Sequence, residues 1–208
     1  WLGVLTMGRV MVATILGALW TVPVGVAIGL SPRLSRIAQP LVQIAASFPA
    51  NMAFPFITVL YLKYRVNFEL GAIPLMMLGT QWYILFNVIA GAMAIPTDFQ
   101  EAASVFKLRG WSRWRRLILP GIFPSLVTGC VTAAGGAWNA SIVAEVVSWG
   151  EQNLRATGLG AYISRATEAG NWPGIIWGVM VMAAFVVVLN RLLWRRLYSL
   201  AESKYHIG

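Results

Sequence analysis

The chain has 208 residues, of which 58% are hydrophobic and 11% are charged, and its formal net charge is +9. Soluble domains carry roughly 25% charged residues, so this composition excludes an ordinary soluble domain and favours a membrane protein. A basic chain could also bind nucleic acid, but the distribution of the charges favours a lipid bilayer as the partner, and no nucleic acid.

Long uncharged stretches account for most of the sequence. Each has at least 21 residues without Asp, Glu, Lys or Arg, and they are Val10–Leu30, Ile37–Leu62, Leu70–Thr97, Leu117–Ala144 and Ala169–Asn190. About 20 helical residues cross a ~30 Å hydrocarbon core, and a helix pairs its own backbone groups where lipid cannot. We therefore predict an all-α polytopic membrane protein with a single domain over residues 1–208. Its five transmembrane helices are expected near residues 10–30, 37–62, 70–96, 121–148 and 172–194.

The basic residues are distributed unequally between the two sides that these spans define. One side receives 11 of them, and the other receives 5, which are Arg9, Lys63, Arg65, Arg155 and Arg165. Lys and Arg gather in the cytoplasmic loops of multi-pass proteins. The polar loop 98–120 and the C-terminus are therefore predicted to be cytoplasmic, and the first helix is predicted to enter from outside.

The start of the chain predicts a longer polypeptide. The sequence begins at Trp1 rather than at Met, and Trp1–Thr6 lacks the basic start of a signal peptide. We expect the chain to be a piece of a longer protein, or its true N-terminus to lie upstream.

The first predicted helix carries Gly25 and Gly29, a spacing that permits close contact with a neighbouring helix.

The second span is interrupted by Pro40, Pro49 and Pro55. Proline removes a backbone donor and disfavours helix at the residue before it. Broken helices at membrane depth are tolerated where they are buried or line a cavity. The segment Phe48–Pro55 around Asn51 is therefore either an element of a solute pathway or a simple kink, and the sequence favours both equally.

The polar loop opens with a predicted short helix over Asp98–Lys107. Thr97 and Asp98 are favourable N-cap residues, and Gln100 and Glu101 follow at the spacing of a capping box. One small, partly apolar face is available for docking onto a partner, and it consists of Phe99, Ala102, Ala103 and Phe106. After Gly110, the aromatic and basic residues Trp111–Arg116 are typical of the headgroup level of a membrane.

Glu145 is an ionisable residue near the outer end of the fourth predicted span, where a charge is costly. Helical spacing places it on one face with Ala134, Trp138 and Ser141, and Asn139 lies beside that face. Trp138, Asn139, Ser141 and Glu145 are thus candidates for lining a solute pathway. The alternative is a structural ion pair of Glu145 with Arg155 or Arg165, or plain exposure at the interface.

The outer segment Gly150–Trp172 is predicted to contain a short helix near Leu159–Ala169, and its charges balance: Glu151, Arg155, Arg165 and Glu168.

The spans contain Glu145 and Cys130 but no His, so the sequence indicates neither a catalytic residue nor a metal site. Cys130 is expected to be a packing residue. The phosphate-binding pattern GxxxxGK[ST] is also absent from the sequence.

The polar loop carries a spaced motif. Glu101-Ala102-Ala103 is followed by Lys107, then by Leu117, and then by Leu119-Pro120. The spacing resembles the cytoplasmic motif of permease subunits of binding-protein-dependent ABC importers, which have glycine where this chain has Lys107. Thr6–Arg9 with PVGVAIGLSPRLSR resembles the first core helix of that family, and GAWNASIVAEVVSW with GLGAYI resembles its nitrate, sulfonate and taurine branch.

The resemblance implies a transport subunit that is not itself an enzyme and binds no cofactor. A cytoplasmic ABC ATPase would bind ATP and Mg and would contact a coupling helix, and the residues implied in this coupling are Asp98, Glu101, Ala102, Ala103, Phe106, Lys107, Gly110, Leu119 and Pro120. Gly110 could supply the turn that the family makes at the position of Lys107.

The resemblance also implies a second permease half, identical, homologous or fused, an extracytoplasmic solute-binding protein, and a bacterial inner-membrane location. The solute would be a small anion such as nitrate, sulfonate, taurine or bicarbonate. The alternative is an ATP-independent channel or membrane scaffold, which would explain the helices but not the spaced motif.

Overall fold

Helices dominate the computed structural model, which describes residues 1–149 and 152–205. In chain order the α-helices are α1 (Leu2–Gly29), α2 (Pro32–Ser47), α3 (Phe54–Lys63), α4 (Phe68–Met93), α5 (Thr97–Val105), α6 (Gly110–Arg113), α7 (Leu119–Ala144), α8 (Leu159–Glu168), α9 (Trp172–Leu189) and α10 (Arg195–Tyr205). A 3₁₀ turn covers Ala50–Ala53, and π-helical segments join α6 to α7 (Trp114–Ile118) and α9 to α10 (Asn190–Trp194). The predicted all-α polytopic fold is confirmed.

Four continuous helices of the described residues are long and apolar enough to span a membrane: Leu2–Gly29, Phe68–Met93, Gly110–Ala144 and Trp172–Lys204. The fifth predicted span is a bent pair, because Pro32–Ser47 and Ala50–Lys63 meet at 72°. Phe48 is extended (φ −71°, ψ 127°) immediately before Pro49, as the steric demand of the proline ring requires. Pro40, in contrast, lies inside α2 without ending it.

Two predicted span boundaries are wrong. The first span was expected to begin at Val10, but α1 begins at Leu2. The fourth span was expected to continue to residue 148, but α7 ends at Ala144 and Val146–Trp149 forms strand β1. β1 pairs antiparallel with β2 (Gln152–Arg155), so that Val146 faces Arg155 and Val147 faces Leu154. Val147 is buried in the apolar core of the bundle. Gly150 and Glu151, between the strands, and residues 206–208 lie outside the described residues.

The centre of the bundle is α4, which packs along α1 on one side and α7 on the other. The contact with α1 is close at the predicted glycine pair. A Cβ at Gly25 would lie 2.8 Å from Cγ1 of Val88, and one at Gly29 would lie 2.6 Å from Cβ of Ala92. The small residues therefore let the two helix backbones approach each other.

The bundle has two distinct ends. At the α5 end, α1 and α4 finish, α7 begins, and α5 and α6 form the connection between α4 and α7. At the α8 end, α1 and α4 begin, α7 finishes, and the β-hairpin and α8 fold over them. The candidate functional features lie at these two ends and along one side of the bundle between them.

Candidate functional site

The carboxylate of Glu145 is completely buried at the α8 end (0% exposed). Its Oε1 accepts hydrogen bonds from Nη1 of Arg9 and from Oγ1 of Thr6, both at 2.8 Å, and its Oε2 accepts one from the backbone N–H of Ala161 at 3.1 Å. A buried charge is tolerated only when it is paired and hydrogen-bonded. Glu145 meets that requirement entirely through residues of this chain.

Arg9 joins Glu145 to a second carboxylate, that of Glu69, with which it forms an ion pair. Its guanidinium also donates to the backbone carbonyls of Glu69 (2.9 Å) and Thr157 (3.0 Å). Glu69 in turn accepts from the backbone N–H and the hydroxyl of Thr157. We call Thr6, Arg9, Glu69, Glu145 and Thr157 the Arg9 cluster. It ties α1, α4, α7 and the segment before α8 to one another.

The partner of Glu145 differs from the one considered from sequence. Arg155 forms its ion pair with Glu168 at 2.8 Å, and Arg165 is exposed. Arg9 was predicted to lie outside the membrane span, because the first span was expected to begin at Val10. In the structure, α1 begins at Leu2. With that earlier start, Arg9 lies inside the helix, only 7% exposed, and it needs a buried counter-charge.

The same contacts position α8, whose observed bounds agree with the predicted helix near Leu159–Ala169. The backbone N–H of Leu159 donates to Oγ1 of Thr6 at 2.8 Å, and that of Ala161 donates to Glu145. The first N–H groups of a helix have no partner within it, and a nearby carboxylate stabilises them. Glu145 and Thr6 therefore cap α8 from two other helices, while its own N-cap residue, Gly158, offers no side chain.

We expect Gly160→Ala to destabilise this end of the protein. A Cβ at Gly160 would overlap the backbone carbonyl of Ser141, so α8 would have to move away from α7, at a cost of about 1–3 kcal/mol or more. The midpoint of thermal unfolding in detergent measures the effect. Gly135→Ala is the matched control, because a Cβ there meets nothing within 4 Å and alanine favours a helix by up to about 1 kcal/mol. Equal midpoints for the two variants would contradict the close packing.

At the other end, α5 begins differently from the prediction. Thr97 is already its first helical residue, the N-cap is Pro96, and no side chain caps the helix, so the predicted capping box is wrong. Gln100 instead donates from Nε2 to the backbone carbonyl of Ile95 at 3.1 Å. The side chain thus satisfies the preceding turn rather than the helix N-terminus.

Lys107 itself makes the turn that ends α5. Its φ is +53°, in the left-handed region that favours glycine. The backbone N–H of Leu108 donates to the carbonyl of Ala103 (2.8 Å), and that of Lys107 donates to the carbonyl of Ser104 (2.9 Å), as in a Schellman motif. Gly110 has a φ of +53° as well, at the start of α6, so it does not replace Lys107 but adds a second turn.

Three of the four residues on the face of α5 that the sequence predicts for docking are exposed. Phe99 is 48% exposed, Phe106 is 77% exposed, and Ala102 is exposed with them. Ala103, at the border of this face, is only 5% exposed and is packed in the core cluster that contains Ile118. Asp98 and Glu101 are exposed on α5, whereas Leu119 and Pro120 are half-buried in the first turn of α7. The accessible face is therefore formed by Phe99, Ala102 and Phe106.

Along the side of the bundle, α7 exposes polar residues. Thr128, Thr132 and Asn139 are exposed at spacings of 4 and 7, which places them on one helix face. On α4, Tyr83 (45% exposed) and Asn87 border them, because Gly129 and Gly136 of α7 pack directly on these two side chains. We call Tyr83, Asn87, Thr128, Thr132 and Asn139 the polar face.

Other exposed surfaces of the long helices are apolar. On α9 the exposed residues include Ile176, Val179, Met180, Val187 and Val188, and on α1 they include Ile15, Leu16 and Leu19. Lipid tails suit such surfaces, but they offer no hydrogen bonds to amide and hydroxyl groups. Thr128, Thr132 and Asn87 donate to carbonyls of their own helices, so the polar face differs from these apolar surfaces mainly at Tyr83 and Asn139.

The structure separates the sequence-derived pathway candidates into two groups. Trp138 and Ser141 are buried with Glu145 inside this chain, and the indole of Trp138 packs against the ring of Phe185 with 6.0 Å between centroids. Asn139 lies on the polar face, and Asn51 is exposed in the 3₁₀ turn between α2 and α3. Of the five candidates, Asn51 and Asn139 are exposed, and Trp138, Ser141 and Glu145 are buried within the chain.

A multi-span bundle with a broken helix, a polar side and an exposed helix at one end has the architecture of a membrane permease component. The chain belongs to the family described as binding-protein-dependent transport system inner membrane component, whose model matches residues 21–205.

Individual relatives transport different solutes. The chain is similar to the nitrate import permease protein NrtB of Leptolyngbya laminosa, with 25% identity over 90% of this chain and 63% of that protein. It is 27% identical to the bicarbonate transport system permease protein CmpB of Synechococcus elongatus, over 92% of this chain and 66% of that protein. It is also 27% identical to the taurine transport system permease protein TauC of Escherichia coli, over 92% and 67%. The chain thus spans about two thirds of the length of these curated relatives.

A solved structure shares the fold. A chain of the MetNI methionine ABC transporter, in an inward-facing conformation, superposes with a TM-score of 0.73 over 95% of this chain and 93% of that chain, at 20% sequence identity.

Proposed function

We propose that the chain is the transmembrane permease subunit of an ABC importer and forms half of a translocation path. The other half is a second permease, identical or homologous, whose polar face opposes this one. The observation that carries the proposal is the polar face, and within it Asn139 and Tyr83, whose side chains make no hydrogen bond among the described residues. An amide or hydroxyl group exposed in an apolar span needs either water or a polar partner. Thr128, Thr132 and Asn87 already donate to backbone carbonyls one turn back. Two such faces enclose a path that a polar solute can enter.

Coupling to ATP hydrolysis is assigned to α5. In this proposal the α5 end and the C-terminus lie on the cytoplasmic side of a bacterial plasma membrane, and a separate ATPase subunit with ATP and Mg docks on Phe99, Ala102 and Phe106. The docking face is supported by its exposure and by the packing of Ala103 with Ile118, which holds α5 beside the segment that leads into α7. Movement of the ATPase would then be passed to α7, which carries the polar face.

The solute and its delivery are assigned to the α8 end. A solute-binding protein would release a small solute there, and the named relatives, which act on nitrate, bicarbonate and taurine, support a small anion or zwitterion. The Arg9 cluster lies at this end, but its charged groups are engaged with one another. Its role in the proposal is therefore to hold α8 in place and not to bind the solute.

Cysteine accessibility tests the path. In a Cys130→Ala background, Thr132→Cys and Asn139→Cys are treated with a charged, membrane-impermeant thiol reagent during reconstituted uptake with the ATPase and binding protein. We expect both thiols to react and uptake to fall, whereas Val187→Cys on the exposed apolar side of α9 stays unreactive. If all three sites are unreactive while uptake proceeds, the polar face does not line the path. If uptake occurs without the ATPase, the channel interpretation replaces the importer.

A further inference from the structure

A concavity of about 770 Å³ lies at the α5 end of the bundle. The end of α1, the length of α2, the end of α4 and the start of α5 form its walls. Its polar lining residues are Ser35, Arg36, Gln39, Gln43, Thr97 and Gln100, and among the described residues no carboxylate lines it. We call this concavity the vestibule.

α2 has two different faces, and its polar face lines the vestibule. Arg36, Gln39 and Gln43 recur at spacings of 3 and 4, so they share one side of the helix. The exposed apolar residues recur at spacings of 3, 4 and 3 on the other side, and they are Leu34, Ile37, Leu41 and Ile44. Lipid tails suit the apolar side. The polar side is therefore directed away from lipid and into the vestibule.

The vestibule is continuous with the polar face along α4. On one side of α4, Ala38 and Val42 of α2 pack in a cluster with Leu85 and Ile89. On the other side, Gly129 and Gly136 of α7 pack on α4. The face of α4 between these contacts is exposed at spacings of 3, 4 and 3, at Tyr83, Phe86, Ala90 and Met93. Since Tyr83 belongs to the polar face and Met93 lines the vestibule, one exposed face of α4 joins the two.

Two polar groups of the vestibule have no partner within residues 1–149 and 152–205. The guanidinium of Arg36 forms no ion pair, and the side-chain amide of Gln43 forms no hydrogen bond. Gln39, in contrast, donates to the hydroxyl of Ser35. A guanidinium offers five N–H donors, and an amide offers two more. With one positive charge and no carboxylate in its lining, the vestibule is complementary to a ligand that brings negative charge and acceptor oxygens.

We propose that the vestibule is a binding site for a small anion, or for the anionic group of a zwitterion, and that Arg36 selects for negative charge. The inference rests on the proposed function, in which the polar face lines the path and the α5 end is cytoplasmic. The solute passes from the polar face over α4 to Arg36 and Gln43, and from there into the cytoplasm. Because Arg36 is exposed, it attracts the anion without trapping it, as conduction requires.

Charge-selective thiol labelling tests the vestibule. The reporter is Gln39→Cys in the Cys130→Ala background, about one helical turn from Arg36, with the full chain in nanodiscs of zwitterionic lipid. Its rates are measured with two methanethiosulfonates, one that carries a sulfonate and one that carries a trimethylammonium group. We expect Arg36→Gln to lower the ratio of the sulfonate rate to the ammonium rate about threefold or more at low salt, and less at high salt because of screening.

Two further variants are the controls. Arg33→Gln removes an exposed cation of α2 that does not line the vestibule, so it should leave the ratio nearly unchanged. Arg36→Lys keeps the charge and should preserve the ratio. The proposal is overturned if Arg36→Gln leaves the ratio unchanged, or if Arg33→Gln lowers it equally, since the whole basic surface would then act. It is also overturned if the reporter reacts with neither reagent, because the vestibule is then closed to water.

The labelling needs neither the solute nor the ATPase, so its outcome is independent of the uptake experiment. Uptake that proceeds without the ATPase would refute the importer and leave the charge preference of the vestibule in place. ATPase-dependent uptake together with an unchanged labelling ratio in Arg36→Gln would refute the vestibule alone.

Discussion

Replacing Ala102 by aspartate should reduce permease-stimulated ATP hydrolysis by about tenfold or more, with normal amounts of folded protein in the membrane. Ala102 is exposed on the docking face, about one helical turn from both Phe99 and Phe106. An unpaired charge buried in an interface costs about 2–5 kcal/mol, and each 1.4 kcal/mol is a factor of ten in affinity. The measurement is ATPase activity of the reconstituted complex, together with co-purification of the ATPase subunit.

Two neighbouring positions on α5 distinguish docking from folding. Ser104→Asp adds the same charge to an exposed position on the opposite face of α5, and we expect at most a twofold loss of stimulation. Ala103→Asp places a charge in the core cluster with Ile118, so it should lower the amount of folded protein. Equal stimulation by the Ala102→Asp variant and the unmodified chain would remove α5 as the docking site.

The helical spans were predictable because each of them is a long apolar stretch that can be recognised from its composition. A run of more than 20 uncharged residues specifies a helix wherever lipid leaves no other way to pair the backbone. The break at Phe48–Pro49 was predictable for the same kind of reason, since proline acts locally on the residue before it. The family motif was recognisable because its spacing is a property of the sequence alone.

The side-chain partners were less predictable, because they depend on how distant segments meet. Arg9 and Glu145 are 136 positions apart, and nothing local indicates that α1 and α7 bring them together. The prediction that Ala103 is exposed on α5 was wrong for a related reason. Helical spacing places it near Ala102, but only the packing of α5 on the start of α7 decides which of the two is buried. Lys107 shows that a residue other than glycine can adopt the left-handed turn when the surrounding hydrogen bonds hold it there.

Replacing Glu145 by alanine should destabilise the protein by about 3–5 kcal/mol, the usual cost of removing one partner from a buried ion pair. The guanidinium of Arg9 would keep Glu69, which is partly exposed, but it would lose its buried partner. The N–H group of Ala161 and the hydroxyl of Thr6, which itself accepts from the N–H of Leu159, would also lose the carboxylate at the start of α8. We expect a large fall in the thermal unfolding midpoint in detergent. Arg155→Gln, which breaks the exposed pair with Glu168, should change stability by at most about 1 kcal/mol.

A double variant separates charge burial from geometry. In Arg9→Met with Glu145→Met, no unpaired charge remains buried, and Glu69 keeps its hydrogen bonds to Thr157 and its access to water. Buried ion pairs can often be replaced by apolar residues without loss, so the double variant should be more stable than Glu145→Ala. If it is equally unstable, the capping of α8 by the carboxylate dominates instead. If Glu145→Ala is as stable as the unmodified chain, the Arg9 cluster does not hold the α8 end together.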